Sequence, residues 1–330
     1  MMDTDNSNAV KPGSSKVRKN VDFNCMELVD AILLASVILE ISVLNYDSFY
    51  SIIQSWIDSP DTIPPSLKFN RLEDIRHYLN DMVKKQKMVE NRIVNFAKEV
   101  TGRMFRLECV RVVYLAGKIN THAKIAELNI GLDKKECKAD IYIEMVDGYM
   151  IGWSCKQSKN ATKSNFSVEK ILGGGGDGVK SLSIIRHEYL TEQGYPKHDK
   201  AKRAQVNAIF YPDKKDNKYF NTMKNNIEDK KDVVIRCLVQ PLLCLNVKYP
   251  VYEFNGETIH MLNGELDDLL SKSSFEEYLP YYLNKNGQQK RAAKLFYQLV
   301  VDKKKYRVEV RWKGNVHGGS PQFQIHDDKK

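Results

Sequence analysis

Residues 138–157 read KADIYIEMVDGYMIGWSCKQ, and this stretch decides the fold around it. Two runs rich in β-branched and aromatic residues, 139–145 and 149–155, flank the dipeptide Asp147-Gly148. Short runs of this composition are typical of strands, and Asp-Gly is typical of the tight turn that joins two antiparallel strands. The stretch therefore predicts a β-hairpin.

Charged side chains occupy positions in this hairpin where a buried sheet normally carries apolar residues. Side chains alternate along a strand, so Ser154 and Lys156 share one face, and Asp140 stands where the first strand begins. Metal-assisted phosphodiester hydrolysis requires such a pair, because a carboxylate holds Mg²⁺ and an ammonium orients or acidifies the attacking water. Mg²⁺ takes only one or two protein carboxylates, so one further acid is expected nearby.

These residues resemble the active-site pattern of the PD-(D/E)xK nuclease superfamily, in which an Asp opens one strand and an acid-x-Lys element lies on the next. Asp140 matches the Asp, while Ser154-Cys155-Lys156 carries serine in place of the acid. A subgroup of type II restriction endonucleases in this superfamily has Ser-x-Lys and takes the lost carboxylate from a Glu on the following helix. Glu169 lies there, after twelve intervening residues, and the resemblance implies that it is the second metal ligand.

The resemblance covers residues 120–172 and implies a further acid. The superfamily often places a Glu on the helix before the first strand, and Glu127 fits that place, close to a second metal or orienting the lysine. Glu144 is a reserve ligand, since it shares the face of Asp140 but lies two pleats, about 13 Å, along the strand. The alternative is a surface hairpin in which Asp140 and Lys156 form an ordinary ion pair.

The loop 157–165 is polar throughout and lies between the lysine and Glu169, so a scissile phosphate would lie beside it. Asn suits bidentate contact with adenine, and Lys suits phosphate or guanine. Relatives that read CCGG-like sites carry an Arg-acid-Arg triplet here, where this chain has Asn-Ala-Thr, so that target is not implied. The expected DNA contacts in and beside the loop are Ser154, Gln157, Lys159, Asn160, Thr162, Lys163 and Asn165. A loop that is polar only because it is exposed remains the alternative.

Residues 285–330 carry most of the excess positive charge of the chain. They hold twelve Lys and Arg against four acidic residues, a balance of +8 in a chain of formal charge +9. Basic side chains interleaved with aromatic ones suit a phosphate backbone, so Arg311 and Lys313 are expected to contact DNA. A solvated face that serves solubility alone explains this composition equally well.

Length and composition define the class of the chain. Its 330 residues are 42% hydrophobic and 28% charged, which excludes disordered and fibrous proteins and provides a core that needs no disulfide or structural metal. The six cysteines lack zinc spacing and are expected to be free thiols in a reducing cytosol. The sequence contains neither a signal peptide nor a transmembrane pattern, so we expect a cytoplasmic, DNA-associated protein.

The pattern of elements predicts a mixed α/β fold, which the resemblance makes a restriction-endonuclease-like mixed sheet flanked by helices. The run 233–239 predicts a strand, whereas 275–283 and 288–301 predict helices. The expected organisation is a disordered tail (1–20), a helical N-terminal region (21–103), the nuclease core (104–246) and a basic C-terminal section (247–330) that adds strands and DNA contacts.

Together these observations predict Mg²⁺-dependent hydrolysis of double-stranded DNA at a short specific sequence, as in type II restriction endonucleases. Asp140 and Glu169 would hold the metal, Lys156 would position the water and Glu127 would assist. Two strands to cut favour a homodimer, and a restriction role implies a cognate DNA methyltransferase. A structure-selective or repair nuclease and a non-catalytic DNA-binding protein with a decayed site remain as alternatives. An RNA-processing nuclease is disfavoured, since no RNP-type aromatic motif is present.

Overall fold

The fold is taken from a computed structural model of the chain. The residues it describes are 24–40, 45–69, 75–101, 106–115, 122–132, 139–158, 161–173, 180–192, 194, 217–277, 281–283, 289–291, 294–311 and 320–328. The predicted tail and three predicted DNA contacts, Lys159, Asn160 and Lys313, lie outside these ranges.

The described helices and strands alternate along the chain and confirm the predicted mixed α/β class. The helices are α1 (Cys25–Leu34), α2 (Tyr46–Asp58), α3 (Ile75–Lys84), α4 (Gln86–Thr101), α5 (Ala123–Leu128), α6 (Val168–Leu172), α7 (Leu182–Glu192), α8 (Lys218–Asp229), α9 (Lys231–Leu242) and α10 (Leu266–Ser271). The strands are β1 (Leu67–Phe69), β2 (Val110–Leu115), β3 (Ile141–Met145), β4 (Met150–Cys155), β5 (Ser164–Ser167), β6 (Val251–Phe254), β7 (Ile259–Met261), β8 (Ser273–Glu277), β9 (Tyr281–Leu283), β10 (Gln289–Arg291), β11 (Lys294–Val301), β12 (Lys304–Arg311) and β13 (Gln322–Asp327). Within the described ranges, no helix is both long enough and apolar enough to span a membrane.

The first sheet has the order β1-β2-β3-β4-β6-β7 and contains the predicted hairpin. Strands β2, β3 and β4 are antiparallel, and Ile141 of β3 lies opposite Trp153 of β4. Gly148 in the turn has a φ of +83°, a conformation that glycine adopts without steric cost. Strand β6 then pairs with β4 in parallel, so both strands end at the same edge of the sheet.

The N-terminal helices cover one face of this sheet, to which the same region also adds strand β1. Leu28 and Ile32 of α1, Phe49 of α2 and Phe96 of α4 pack in one core with Trp153 of β4. Asn24 caps α1 by accepting hydrogen bonds from the backbone N–H groups of the first turn. The apolar residues that recur at helical spacing thus pack against the apolar face of the first sheet.

The second sheet has the order β5-β13-β12-β11-β8, and all its pairs are antiparallel. Its inward face consists of alternate residues of each strand, such as Tyr306, Val308 and Val310 of β12, and packs against helices α6 to α9. The chain therefore has a second large core, which is formed by a sheet that is apolar on one side only.

Two predictions about the elements of this second half are wrong. The run predicted as a strand lies in helix α9, where Val234, Ile235 and Leu238 recur at helical spacing and are buried. The regions predicted as helices contain strands β8 to β11 instead, and Leu295 and Leu299 of β11 belong to a strictly alternating buried set. A short apolar run fits both the helical repeat of about 3.6 residues and the strand repeat of two residues, and the pattern of burial in the fold decides between them.

Neither sheet is confined to one of the predicted regions, because each contains strands from both sides of the predicted boundary at residue 246. Strand β5, which lies in the predicted nuclease core, pairs with β13 of the second sheet. Strands β6 and β7, predicted in the C-terminal section, complete the first sheet. A buried ion pair joins the sheets, because the Lys163 ammonium binds Glu253 of β6 and lies 2.9 Å from the Asp327 carboxylate of β13.

A second buried ion pair connects the helical layer with the first sheet. The Arg92 guanidinium of α4 donates to both carboxylate oxygens of Asp30 in α1, at 2.5 and 2.7 Å, and both side chains are almost completely buried. Trp153 Nε1 donates to the same carboxylate at 2.9 Å. Arg92 also donates to the carbonyl oxygen of Lys156 at 2.8 Å, so the pair holds the end of β4 in place.

We predict that Arg92→Ala lowers the free energy of unfolding by about 3–5 kcal/mol, because it leaves the Asp30 carboxylate buried without its cation. Urea unfolding followed by circular dichroism measures the change. Arg106→Ala is the control, since Arg106 and its partner Glu108 are 76% and 65% exposed and 4.0 Å apart; its effect should stay within about 0.5 kcal/mol. Equal effects of the two substitutions would contradict the structural role of Arg92.

Candidate functional site

Asp140 lies at the start of β3, as predicted, and its carboxylate is held by the neighbouring strand. The Asp140 N–H donates to the carbonyl of Trp153 at 2.8 Å, and the Cys155 N–H donates to the Asp140 carboxylate at 2.8 Å. Burial raises the pKa of Asp140 to about 6, although the charge of Lys156 and the Cys155 hydrogen bond act in the opposite direction. The carboxylate is thus fixed beside the end of β4.

Lys156 follows β4 directly, and its main chain is fixed on both sides. Its N–H donates to the carbonyl of Phe254 in β6 at 2.8 Å, and its carbonyl accepts from Arg92 at 2.8 Å. Its ammonium lies close enough to Asp140 to lower the pKa of that carboxyl. The structure therefore places Lys156 within electrostatic range of Asp140, one residue beyond the N–H that binds the Asp140 carboxylate.

A third charged group at this place is Glu27, in the first turn of α1, which the sequence analysis did not single out. Burial, and after it the negative charge of Asp140, raises the pKa of Glu27 to about 8, while the positive charge of Lys156 acts in the opposite direction. Helix α1 therefore places a second carboxylate within electrostatic range of Asp140 and Lys156. Two acids with raised pKa values beside a lysine form the kind of cluster that functional sites favour.

The only sequence signal for Glu27 is the spacing Asn24-x-x-Glu27 ahead of an apolar helix. This spacing predicts a capping box, and the structure has one: the Asn24 N–H donates to Glu27 at 3.0 Å, and the Asn24 side-chain amide donates to the other oxygen. A capping role explains the hydrogen bonds of Glu27 but not its position against Asp140. That position arises from the packing of α1 on the sheet, which the local pattern does not contain.

Ser154 stands where the superfamily pattern has an acid, and its side chain is completely buried. Its hydroxyl has no hydrogen-bond partner, whereas a buried hydroxyl normally has one. Ser154 pairs in register with Glu253 of β6, whose carboxylate is bound by Lys163. An unpaired polar atom thus lies on the strand face that Lys156 continues.

The donor set fits a magnesium ion better than a transition metal. Among the residues that the structure describes, no group of three or more His, Cys, Asp or Glu side chains could enclose a metal. Two carboxylates, Asp140 and Glu27, are nevertheless sufficient for Mg²⁺, which keeps several waters and takes its remaining oxygens from a substrate phosphate. These two residues could hold the ion.

The structure places Glu169, the predicted second ligand, among other partners. Its carboxylate accepts two hydrogen bonds from Arg186, at 2.6 and 3.1 Å, and one from the Tyr219 hydroxyl at 2.9 Å. Arg186 and Tyr219 are buried in the second half of the chain. Both oxygens of Glu169 thus bind Arg186 and Tyr219, whereas Glu27, whose oxygens accept from the helix cap, is the acid whose pKa Asp140 raises.

The two other predicted acids, Glu127 and Glu144, have surroundings different from those of Asp140. Glu127 is exposed on α5. Glu144 is buried and binds Lys124 at 2.7 Å and the Tyr114 hydroxyl at 2.8 Å. Burial by itself would raise the pKa of Glu144, but these two hydrogen bonds outweigh it and lower the pKa. Glu144 is therefore a satisfied structural anion.

The predicted DNA contacts divide by exposure. Gln157 is exposed and lines an open groove together with Lys87 and Asn91 of α4. Thr162 and Asn165 are half-buried. Lys163 does not present its charge to solvent as expected, because its side chain is 3% exposed and its ammonium is paired with two carboxylates.

Arg311 is the described member of the predicted C-terminal contacts. Its side chain is 38% exposed on β12, and its guanidinium lies 3.7 Å from the Glu309 carboxylate. It therefore remains accessible to a ligand from one side.

We predict that Glu27→Gln changes stability in a pH-dependent way. Carboxyls with raised pKa values contribute stability that is complete below their unfolded pKa, near 4, and is lost as the pH rises through about 6 for Asp140 and about 8 for Glu27. In EDTA the free energy of unfolding of the variant should therefore be about 1 kcal/mol or more above that of the wild type at pH 8, and equal to it near pH 5. Gln also keeps the capping hydrogen bond.

Urea unfolding of both proteins at pH 5, 6.5 and 8 measures this difference. Glu90→Gln, on the exposed side of α4, is the control and should give no dependence on pH. A stability difference for Glu27→Gln that is constant over the same range would contradict the coupling of Glu27 with Asp140.

Comparisons with known proteins found no relative of this chain. No protein-family model, no curated protein and no solved structure matches the chain. The arrangement of Asp140, Lys156 and Glu27 is therefore the basis on which a function can be assigned.

Proposed function

We propose that this protein is a Mg²⁺-dependent endonuclease that hydrolyses phosphodiester bonds in double-stranded DNA at a specific sequence. The observation that carries the proposal is the electrostatic interaction of Asp140, which is held at the end of β4, with Glu27 and Lys156. These are the residue types that the PD-(D/E)xK resemblance requires, although one carboxylate comes from a different element than the resemblance implies.

Each residue has a role that follows from its position. Asp140 and Glu27 would share the ion, and the Cys155 N–H keeps the Asp140 carboxylate oriented. When bound, Mg²⁺ supplies Lewis-acid stabilisation of the charge that develops on the phosphate. Lys156 would orient the attacking water and favour its deprotonation, because strand β6 and Arg92 of α4 fix its main chain and its ammonium interacts with Asp140.

The raised pKa values of the two acids support binding of a cation rather than a purely structural role. Two buried carboxylates are costly for a fold unless a positive ligand compensates them, because burial disfavours their charged forms and, at Glu27, the charge of Asp140 adds to this cost. Lys156 compensates only in part, since the pKa of each acid stays above its ordinary value. A divalent ion would remove this cost.

Several partners follow from the proposed reaction. A duplex has two strands to cut, so we propose that two copies of the chain act together. A restriction role would further require a DNA methyltransferase that modifies the same sequence. These partners depend on cleavage of unmodified DNA at discrete sites.

A second candidate function is favoured by Ser154. Its replacement of the expected acid, together with the structural network of Glu169, describes a protein that keeps a DNA-binding fold but has lost cleavage. Such a protein would bind duplex DNA without a metal and leave it intact.

We predict that the purified protein cuts unmodified plasmid and phage DNA into discrete fragments with Mg²⁺ but not with EDTA. Asp140→Asn, Glu27→Gln and Lys156→Ala should each lower the cleavage rate at least about 100-fold, because each removes a group that acts on the metal or the water. Gel electrophoresis of the digests measures the rate, and thermal unfolding confirms that each variant is folded.

Glu169→Gln and the exposed Glu90→Gln complete the set of variants. Glu90→Gln should cleave at the wild-type rate. Loss of cleavage in folded Glu169→Gln together with full activity of Glu27→Gln would assign the second carboxylate to Glu169 instead. Binding of duplex DNA without cleavage in any condition would favour the second candidate.

A further inference from the structure

The outward face of the second sheet is polar, and its side chains are only partly exposed. On β12 this face carries Arg307, Glu309 and Arg311, which alternate with the apolar residues of the inward face. On the neighbouring strand β13 it carries Gln322 and Gln324, which pair in register with Arg311 and Glu309. We call this surface, completed by Asn165 and Ser167 of β5, the polar sheet face.

Several side chains of the polar sheet face have buried polar atoms without hydrogen-bond partners. These atoms are Asn165 Oδ1, Arg307 Nε, Arg311 Nε and Gln322 Oε1. An ordinary solvated face carries exposed side chains whose polar atoms bind water. Here these four atoms are shielded by their neighbours, which holds the side chains in place, while other parts of the Arg307 and Arg311 side chains stay open to a ligand.

The charge of the polar sheet face is positive and fixed. The buried carboxylate of Glu309 lies 3.4 Å from Arg307 and 3.7 Å from Arg311, so one anion positions two guanidinium groups. The two arginine side chains are still 32% and 38% exposed. Two arginines held by one acid leave a net positive charge together with free N–H groups for a second partner.

The face also has a spacing that suits a nucleic acid. Arg307 and Arg311 are four residues apart on one strand, which is about 13 Å. Base pairs of a duplex repeat every 3.4 Å or so, so the row spans about four base steps. Arginine and glutamine are side chains that make bidentate contacts with guanine and adenine in the major groove, and β-strands are among the elements that enter it.

The strand that carries Gln322 also belongs to the sheet that is joined to the first one. Strand β13 ends at Asp327, which Lys163 joins to Glu253, and Asp327 continues the inward row of Phe323 and Ile325. The ion pair therefore ties the two sheets together on the side opposite to the polar sheet face. The choice of DNA over a protein partner rests on charge, because two partly exposed arginines suit a polyanion.

We propose that the polar sheet face reads the base sequence of the bound DNA, with Arg311 and Gln322 as its central recognition pair. This inference rests on the proposed function for the identity of the ligand. It goes beyond that function because it separates the residues that read sequence from those that cut. Cleavage belongs to the first sheet, and recognition belongs to the second.

The experiment is selection of bound duplexes from a pool of 30-base-pair DNA with a randomised centre, in EDTA, followed by sequencing and fluorescence anisotropy. The full chain carries Lys156→Ala in every case, so that DNA stays intact. We expect this parent protein to enrich a short motif. Arg311→Ala and Gln322→Ala should each weaken binding of that motif about tenfold or more and relax the base preference at one position.

Two further variants keep the test independent of charge and of folding. Arg311→Lys preserves the charge but not the bidentate geometry, so it should retain binding of random duplex and lose the base preference. Arg236→Ala is the matched control, because Arg236 is 54% exposed on α9, which packs on the other side of the sheet, and forms only a 3.8 Å ion pair. It should keep both the motif and the affinity.

The outcomes separate this inference from the proposed function. Unchanged motif and affinity in Arg311→Ala and Gln322→Ala, equal losses in Arg236→Ala, or no binding of any duplex would overturn the inference. Mg²⁺-dependent cleavage that needs Lys156 but is insensitive to the face would leave the proposed function standing alone. Face-dependent binding by a protein that never cuts would support the inference and contradict cleavage.

Discussion

The buried ion pair between Asp30 and Arg92 is the interaction on which the rest of the structure depends. It ties α1 to α4, receives the indole of Trp153 and holds the carbonyl of Lys156. A charge pair removed from water is favourable only with complete hydrogen bonding, and here each group has further partners. The same pair therefore fixes the helix that carries Glu27 and the strand end that carries Lys156. It serves both the packing of the core and the geometry of the site.

The candidate site follows from this constraint. Its three charged groups come from three different elements: the start of a helix, the start of one strand and the end of the next strand. Asp140 is oriented by a backbone N–H of β4, and Glu27 is oriented by the cap of its own helix. Rigid elements thus hold two buried acids within electrostatic range, and the cost of ionising them there, which burial chiefly sets, makes the place suitable for a cation.

In the second sheet, too, packing on one side fixes charged groups on the other. Its inward face packs on helices and stabilises the fold, whereas its outward face places two arginines around one buried acid. The ion pair of Lys163 with Glu253 and Asp327 joins this sheet to the first one. A lysine expected at the DNA surface is thereby used to connect the sheets, and the proposed recognition face lies on strands β5, β12 and β13.

By itself the sequence determined the hairpin and the position of Asp140 beside the strand end that carries Lys156, because turn chemistry and alternation are local properties of the chain. Only the tertiary structure places Glu27 within electrostatic range of Asp140. The spacing of Glu169 fits a family pattern, yet its oxygens bind Arg186 and Tyr219, whereas Glu27 reaches Asp140 from more than a hundred residues away. Local sequence encodes Glu27 as a helix cap. Its position beside Asp140 depends on how α1 packs against the sheet, and that packing is set by long-range burial and by the Asp30–Arg92 pair rather than by any neighbouring residue.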